Sequence, residues 1–211
     1  IASAGANGSI SPSGTTTLSC DGTGDQTYTI TPNACYSVAD VLVDGVSVGA
    51  VTTYTFTDVT TNHTIAASFV LNTYNIVASS GANGSVTPTG TTSVNCGDNL
   101  TYTITPDACY AIADVLVDGV SVGAVGSYTF NNVSAGHTIS ASFSLISYTI
   151  TASAGTGGSI SPSGSVSADC GTSPTFTITP DACYVISDVL VDGVSVGAVS
   201  SYTFTSIGAN H

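Results

Sequence analysis

The sequence predicts an all-β protein built from three tandem small β-sandwich or β-roll-like modules of about 74 residues each, arranged as a rod. Three observations carry that prediction. Helix formers are nearly absent: the chain has no Met, Glu, Lys or Arg, while Thr, Val, Ile, Tyr and Phe fill the alternating positions. Gly, Pro and Asn-Gly or Asp-Gly pairs punctuate the chain every few residues. Above all, one block recurs. Asn33–Phe56 reads NACYSVADVLVDGVSVGAVTTYTF, Asp107–Phe130 reads DACYAIADVLVDGVSVGAVGSYTF, and Asp181–Phe204 reads DACYVISDVLVDGVSVGAVSSYTF. A fixed period of this kind is the mark of a repeat architecture.

The middle copy shows the elements in order. Tyr74–Ser79 alternates as a strand and stops at the Gly81–Gly84 turn, and Ser85–Thr87 returns before Pro88 and Gly90. Leu100–Thr105 is an alternating strand closed by Pro106. Ala113–Asp118 runs into Asp118-Gly119, the dipeptide of a two-residue hairpin, with Val120–Val122 as its partner. Ser127–Phe130 and Thr138–Phe143 complete the copy, and Pro106–Tyr110 is the one candidate for a helical turn.

These elements place the modules at residues 1–71 (first strand truncated), 72–145 and 146–211 (last strand missing). The junctions, Val70-Leu71-Asn72-Thr73 and Ser144-Leu145-Ile146-Ser147, are not flexible Gly/Ser linkers, so neighbours are expected to pack end to end. Ile1 aligns inside a first strand, and His211 aligns with His63 and His137 just before a last strand. Two arrangements fit: a window on a longer array, or a strand supplied by a neighbouring chain, as in strand complementation.

Composition excludes several partners. The 13 acidic residues are all Asp and nothing basic offsets them, for a net charge of −13. Phosphate recognition depends on Lys and Arg, so nucleic acid is excluded, and so are anionic membrane surfaces. No apolar run is long enough for membrane insertion as a helix. Charged residues make up 6% of the chain, so hydroxyls and amides must solvate the surface. Trypsin-like proteases find nothing to cut, and Lys–Asn isopeptide cross-links cannot form.

Six cysteines fall two per copy: Cys20 and Cys35, Cys96 and Cys109, Cys170 and Cys183. Parity and regularity predict one disulfide inside each module, each worth about 3 kcal/mol in the chain-entropy treatment. Free thiols or bridges between chains are the alternatives. Disulfides would place the protein in an oxidising compartment, extracellular or at the cell surface of a bacterium or archaeon.

Other constellations are weaker. His63, His137 and His211 recur in polar turns with no ligand motif beside them. Asp40 and Asp44, with their counterparts Asp114 and Asp118, Asp188 and Asp192, stand four apart and are read as lying on one strand face, about 13 Å apart. They are candidates for a stabilising Ca²⁺ site; otherwise they cap hairpin turns, and no cofactor is expected. Five N-x-[ST] sequons begin at Asn7, Asn62, Asn83, Asn99 and Asn132 and are candidate glycosylation sites. No nucleophile motif occurs and near-identical copies would carry near-identical sites, so an enzyme is not expected.

The pattern GSxxPxG … TYTITPDACYxIxDVLVDGVSVGAVxSYTF … HTIxASF resembles the divergent internalin B-repeat, over essentially the whole chain. The resemblance implies a small β-rich module of large secreted or surface-anchored proteins, without known catalytic residues. The chain departs from that family in two respects. Cys35, Cys109 and Cys183 stand where the family usually has Gly, and the usual Lys and Arg are missing.

The expected role is therefore structural: self-association into an extracellular filament, sheath or adhesin stalk. The competing expectation is an adhesin array of glycan- or surface-binding modules that uses exposed Tyr residues.

Overall fold

A computed structural model describes residues 1–19 and 24–211. The described residues form 22 strands and no helix, so none crosses a membrane as a helix. The chain divides into two compact units that do not follow the copy boundaries. One comprises residues 1–77, 91–101 and 129–137; the other comprises 78–90, 102–128 and 138–211.

In the first unit, two sheets close on one core. One sheet has the order Ala2–Ala4, Ile65–Leu71, Tyr36–Val43, Val46–Ser47. Its first pair is parallel, and the others are antiparallel. The second sheet places Gln26–Pro32 between Gly8–Ser11 and Thr53–Phe56. Alternation decides which residues meet between the sheets. Ile10, Tyr28 and Ile30 from one face Val38, Val41, Ile65 and Ala67 from the other, all buried. The intervening Thr residues point outward and pair across strands, with 2.8 Å between the hydroxyls of Thr27 and Thr55. Thr101–Thr129 and Thr175–Thr203 repeat that contact at the same distance. Hydroxyl pairs thus take the place that charge pairs hold on most sheet surfaces.

The second unit repeats these pairings. Tyr110–Val117 is antiparallel to His137–Leu145 and to Val120–Gly123, and Leu100–Pro106 is antiparallel to Gly84–Thr87. Further along, Thr175–Pro180 lies between Gly158–Ser161 and Ser201–Thr203, and Ser147–Ala152 pairs with Gly164–Asp169.

One local reading is corrected, and one strand is added to those the alternation marks. Pro106–Tyr110 holds no helical turn. The Tyr110 N–H donates to the Asp107 carbonyl at 3.0 Å, and Cys109 has φ +68°, which makes the segment a β-turn with a left-handed third residue. In addition, Gly90–Asn95 is a strand. Its only large buried side chain is Val94, so its sequence carries little periodic signal.

One further difference separates the copies. The block that forms the eight-residue strand Tyr110–Val117 in the second copy forms only Val189–Val191 in the third. There Tyr184 and Val185 are exposed, Val185 by 87%.

Candidate functional site

The described cysteines overturn the expectation of one disulfide inside each module. Cys35 bonds to Cys96 and Cys109 bonds to Cys170, each pair 61 residues apart, so each cystine ties one copy to the next. Cys183 is a free, exposed thiol. Cys20, expected to pair with Cys35, lies outside the described residues, and Cys35 is already taken.

Backbone geometry explains the pairing. The strand Ile65–Leu71 ends one residue before Thr73–Ser80 begins, and Asn72 is the break between them. The Asn72 N–H donates to the Cys35 carbonyl at 2.8 Å, and the Asn72 carbonyl accepts the Cys96 N–H at 2.9 Å. The two cysteines flank one junction residue and their Cα atoms lie 5.3 Å apart, within the range a disulfide spans. Ile146 does the same between Cys109 and Cys170, with both bonds at 2.9 Å. Cys20 is a near neighbour of Cys35 in sequence, but the fold brings Cys96 to it instead.

The first cysteine of each cystine sits in a conformation that favours glycine. Cys35, Cys109 and Cys183 have φ of +69°, +68° and +69° at the third position of a turn closed by Tyr36, Tyr110 and Tyr184. A left-handed L-residue costs roughly 1–2 kcal/mol, and the covalent link outweighs that cost. Closing a loop of about 60 residues is worth about 4 kcal/mol in the chain-entropy treatment.

The aspartates divide their work. Asp40, Asp114 and Asp188 each accept a hydroxyl, from Ser47, Ser121 and Ser195, at 2.6, 2.6 and 2.7 Å. Asp40 and Asp114 follow the register shifts at Val38/Asp40 and Ile112/Asp114, so they fasten a β-bulge to the neighbouring hairpin. Asp44, Asp118 and Asp192 do not share that strand face. They stand in the two-residue Asp-Gly turns at φ 50°, 50° and 51°, where both turn residues have positive φ. Among the described residues, no group of three or more His, Cys or Asp is placed to hold a metal ion. The five sequon residues Asn7, Asn62, Asn83, Asn99 and Asn132 are all exposed.

The histidines, read from sequence as isolated turn residues, have carboxylate partners. His63 Nδ1 lies 2.7 Å from Asp44 Oδ2, and His211 Nδ1 lies 2.7 Å from Asp192 Oδ2. Asp44 also accepts the Thr64 N–H at 2.7 Å. That backbone bond first, and His63 second, hold its carboxyl below the usual value of 3.8. The His63 ring stacks on Phe56 with centroids 4.9 Å apart, and His137 stacks on Phe130 likewise. A signal was available: each of these histidines follows its Asp-Gly aspartate by 19 residues in all three copies.

The turn before each second strand has its own requirement. A β-carbon on Gly8 would collide with the ring of Phe69, and one on Gly84 would collide with that of Phe143. Glycine therefore opens a seat for the aromatic of the HTIxASF strand. In the third copy, the ring of Tyr184 lies against Gly157.

No curated protein matches the chain. The model of the divergent InlB B-repeat domain matches residues 74–147 and 148–208, two consecutive segments that together take in more than half of the chain. The Asp-Gly hairpin turn recurs in both segments, at Asp118-Gly119 and Asp192-Gly193, and the chain belongs to the divergent InlB B-repeat domain family.

Proposed function

We propose that this chain is a load-bearing structural segment of an extracellular filament, sheath or surface stalk, with no catalytic role and no cofactor. The observation that carries the reading is the repeated cystine, which joins each copy to the next over a hydrogen-bonded junction residue. Disulfides of this kind belong to an oxidising compartment. A chain without Lys or Arg resists trypsin-like proteolysis there, and cystines supply the hardening that isopeptide bonds cannot. The tandem copies, tied in series, support a rod that self-associates into a fibre.

The glycan-binding alternative draws little support from the aromatic residues. Tyr28, Tyr102 and Phe176 are core residues, Tyr54, Tyr128 and Tyr202 are half-buried, and of the ten tyrosines only Tyr184 is exposed. Electron microscopy of the native material separates the readings. Ordered filaments whose axial period matches one to three copies are expected. Short monodisperse particles that bind specific members of a glycan array would overturn the structural role.

A further inference from the structure

The three-stranded sheet of each copy turns one face to its core and the other to solvent, and the outer face is a grid of hydroxyls. In the first copy, every exposed side chain on Gly8–Ser11, Gln26–Pro32 and Thr53–Phe56 is Ser or Thr. Ser11, Thr29 and Thr53 stand in one row across the three strands. Ser9 with Thr31, and Thr27 with Thr55, form the rows on either side. The alternate residues Ile10, Tyr28 and Ile30 are buried in the core. The third copy repeats the central row as Ser161, Thr177 and Ser201, and the second pairs Thr103 with Thr87 and Thr105 with Ser85.

Backbone geometry fixes the spacing of the grid. Side chains on one face recur about 6.8 Å apart along a strand and about 4.8 Å apart between strands. Thr has little freedom at χ1, so its hydroxyl and methyl are held in place before any partner arrives. The Thr27 and Thr55 hydroxyls lie 2.8 Å apart, the separation at which hydroxyl and water oxygens bond one another. The face is also neutral: no aspartate stands on the strands of these sheets, although the chain carries 13. A cationic partner is therefore drawn elsewhere, and a neutral one meets no repulsion here. The face offers no Tyr, Trp or Arg anchor for a protein and no aromatic ring on which a sugar could stack, because Tyr28, Tyr102 and Phe176 are buried. What complements it is a neutral surface that repeats in two dimensions and bonds through oxygen, which describes ordered water.

We propose that the hydroxyl face of these sheets binds ice. The Ser and Thr hydroxyls hold waters in a two-dimensional array that joins the oxygen layers of a crystal face, and the Thr methyls exclude waters that would not fit it. A chain adsorbed in this way pins the crystal surface. The front can then advance only by bulging between adsorbed molecules, which a small undercooling does not drive. The inference goes beyond the load-bearing role proposed above and does not depend on it.

The test uses the 211-residue chain with its cystines formed. Slow growth of polycrystalline ice from a dilute solution separates protein taken into the crystal from protein left in the liquid, and tyrosine absorbance measures both. The ice-to-liquid ratio should be several-fold higher than that of serum albumin, and grains of annealed ice should stay small. Thr29→Tyr, Thr103→Tyr and Thr177→Tyr together place a large ring in the middle of each face. These positions are exposed and Tyr favours strands, so circular dichroism should be unchanged while the ratio falls to that of albumin. Val70→Tyr with Ser144→Tyr puts the same ring at exposed positions of other sheets and should leave the ratio as it was. Exclusion of the native chain from ice as complete as that of albumin, or uptake of the triple variant equal to the native, would overturn the proposal. Retention on cellulose or chitin powder together with exclusion from ice would also overturn it, in favour of a sugar-binding face. The load-bearing role stands or falls separately, because it rests on the cystines and is read by electron microscopy.

Discussion

The ring of Phe143 occupies the space into which a β-carbon on Gly84 would project. The two residues come from different strands, and the seat exists because one of them has no side chain. Gly84→Ala should therefore destabilise the protein by about 1–3 kcal/mol, the usual cost of forcing extra volume into a packed site. Combined with Phe143→Ala, the same change should cost much less, and a double-mutant cycle read by urea denaturation measures the coupling. A coupling near zero would mean that the glycine serves its turn alone.

The two cystines close separate, non-overlapping loops, so their contributions should add. Cys96→Ser and Cys170→Ser should each lower stability by about 4 kcal/mol, and reduction should remove both increments together. Non-reducing peptide mapping should recover Cys35 with Cys96 and Cys109 with Cys170. Recovery of Cys20 with Cys35 would refute the inter-copy pairing.

Once its partner is removed, Cys109 keeps an unfavourable backbone and gains nothing from it. In a Cys170→Ser background, Cys109→Gly should be more stable than Cys109→Ala by about 1 kcal/mol, because only glycine accepts φ +68° without crowding its β-carbon. Thermal unfolding of the two variants decides the matter, and equal midpoints would contradict it.

Much of this was legible in the letters, and the parts that were not share a physical cause. Alternation announced strands such as Leu100–Pro106, and Asp118-Gly119 announced its hairpin, because both signals are local. The cystine pairing was not local. Cys20 and Cys35 are close in sequence, but loop-closure entropy grows only logarithmically, so nearness weighs little against a junction strand that carries Cys96 to Cys35. The clearest case is DVLVDGVSVGAV itself. The stretch ending in its first four residues, YAIADVLV, is strand over Tyr110–Val117, whereas its counterpart YVISDVLV is strand only over Val189–Val191. Strand formation there is decided by the neighbour across the ladder, which no local pattern records. The histidine–aspartate contacts lay between the two cases, visible as a fixed spacing but without a local motif.

The lowered Asp44 carboxyl gives a pH signature with a definite sign. Its folded value lies below the unfolded one, so the contact contributes stability above pH 3.8 and loses it as the pH falls through the folded value. Acid also relieves the self-repulsion of thirteen aspartates, so global stability is a poor reporter. Carbon-detected NMR of the Asp44 carboxyl should show a midpoint below 3.8, rising toward it in His63→Ala but not reaching it, because the Thr64 N–H remains. Full recovery of the ordinary midpoint in that variant would reverse the ranking of the two causes.

The cystines also alter how the chain carries tension. A pull along the backbone reaches Cys35 and crosses directly to Cys96, then reaches Cys109 and crosses to Cys170. The residues between bonded cysteines are bypassed, and between Cys96 and Cys109 only 109 − 96 = 13 residue steps bear the load. Each bypassed loop hides roughly 200 Å of extended chain, which no force can draw out while its sulfur bond holds. A strand of such modules would behave as an inextensible cord whose reserve of length is released only by reduction, one loop at a time.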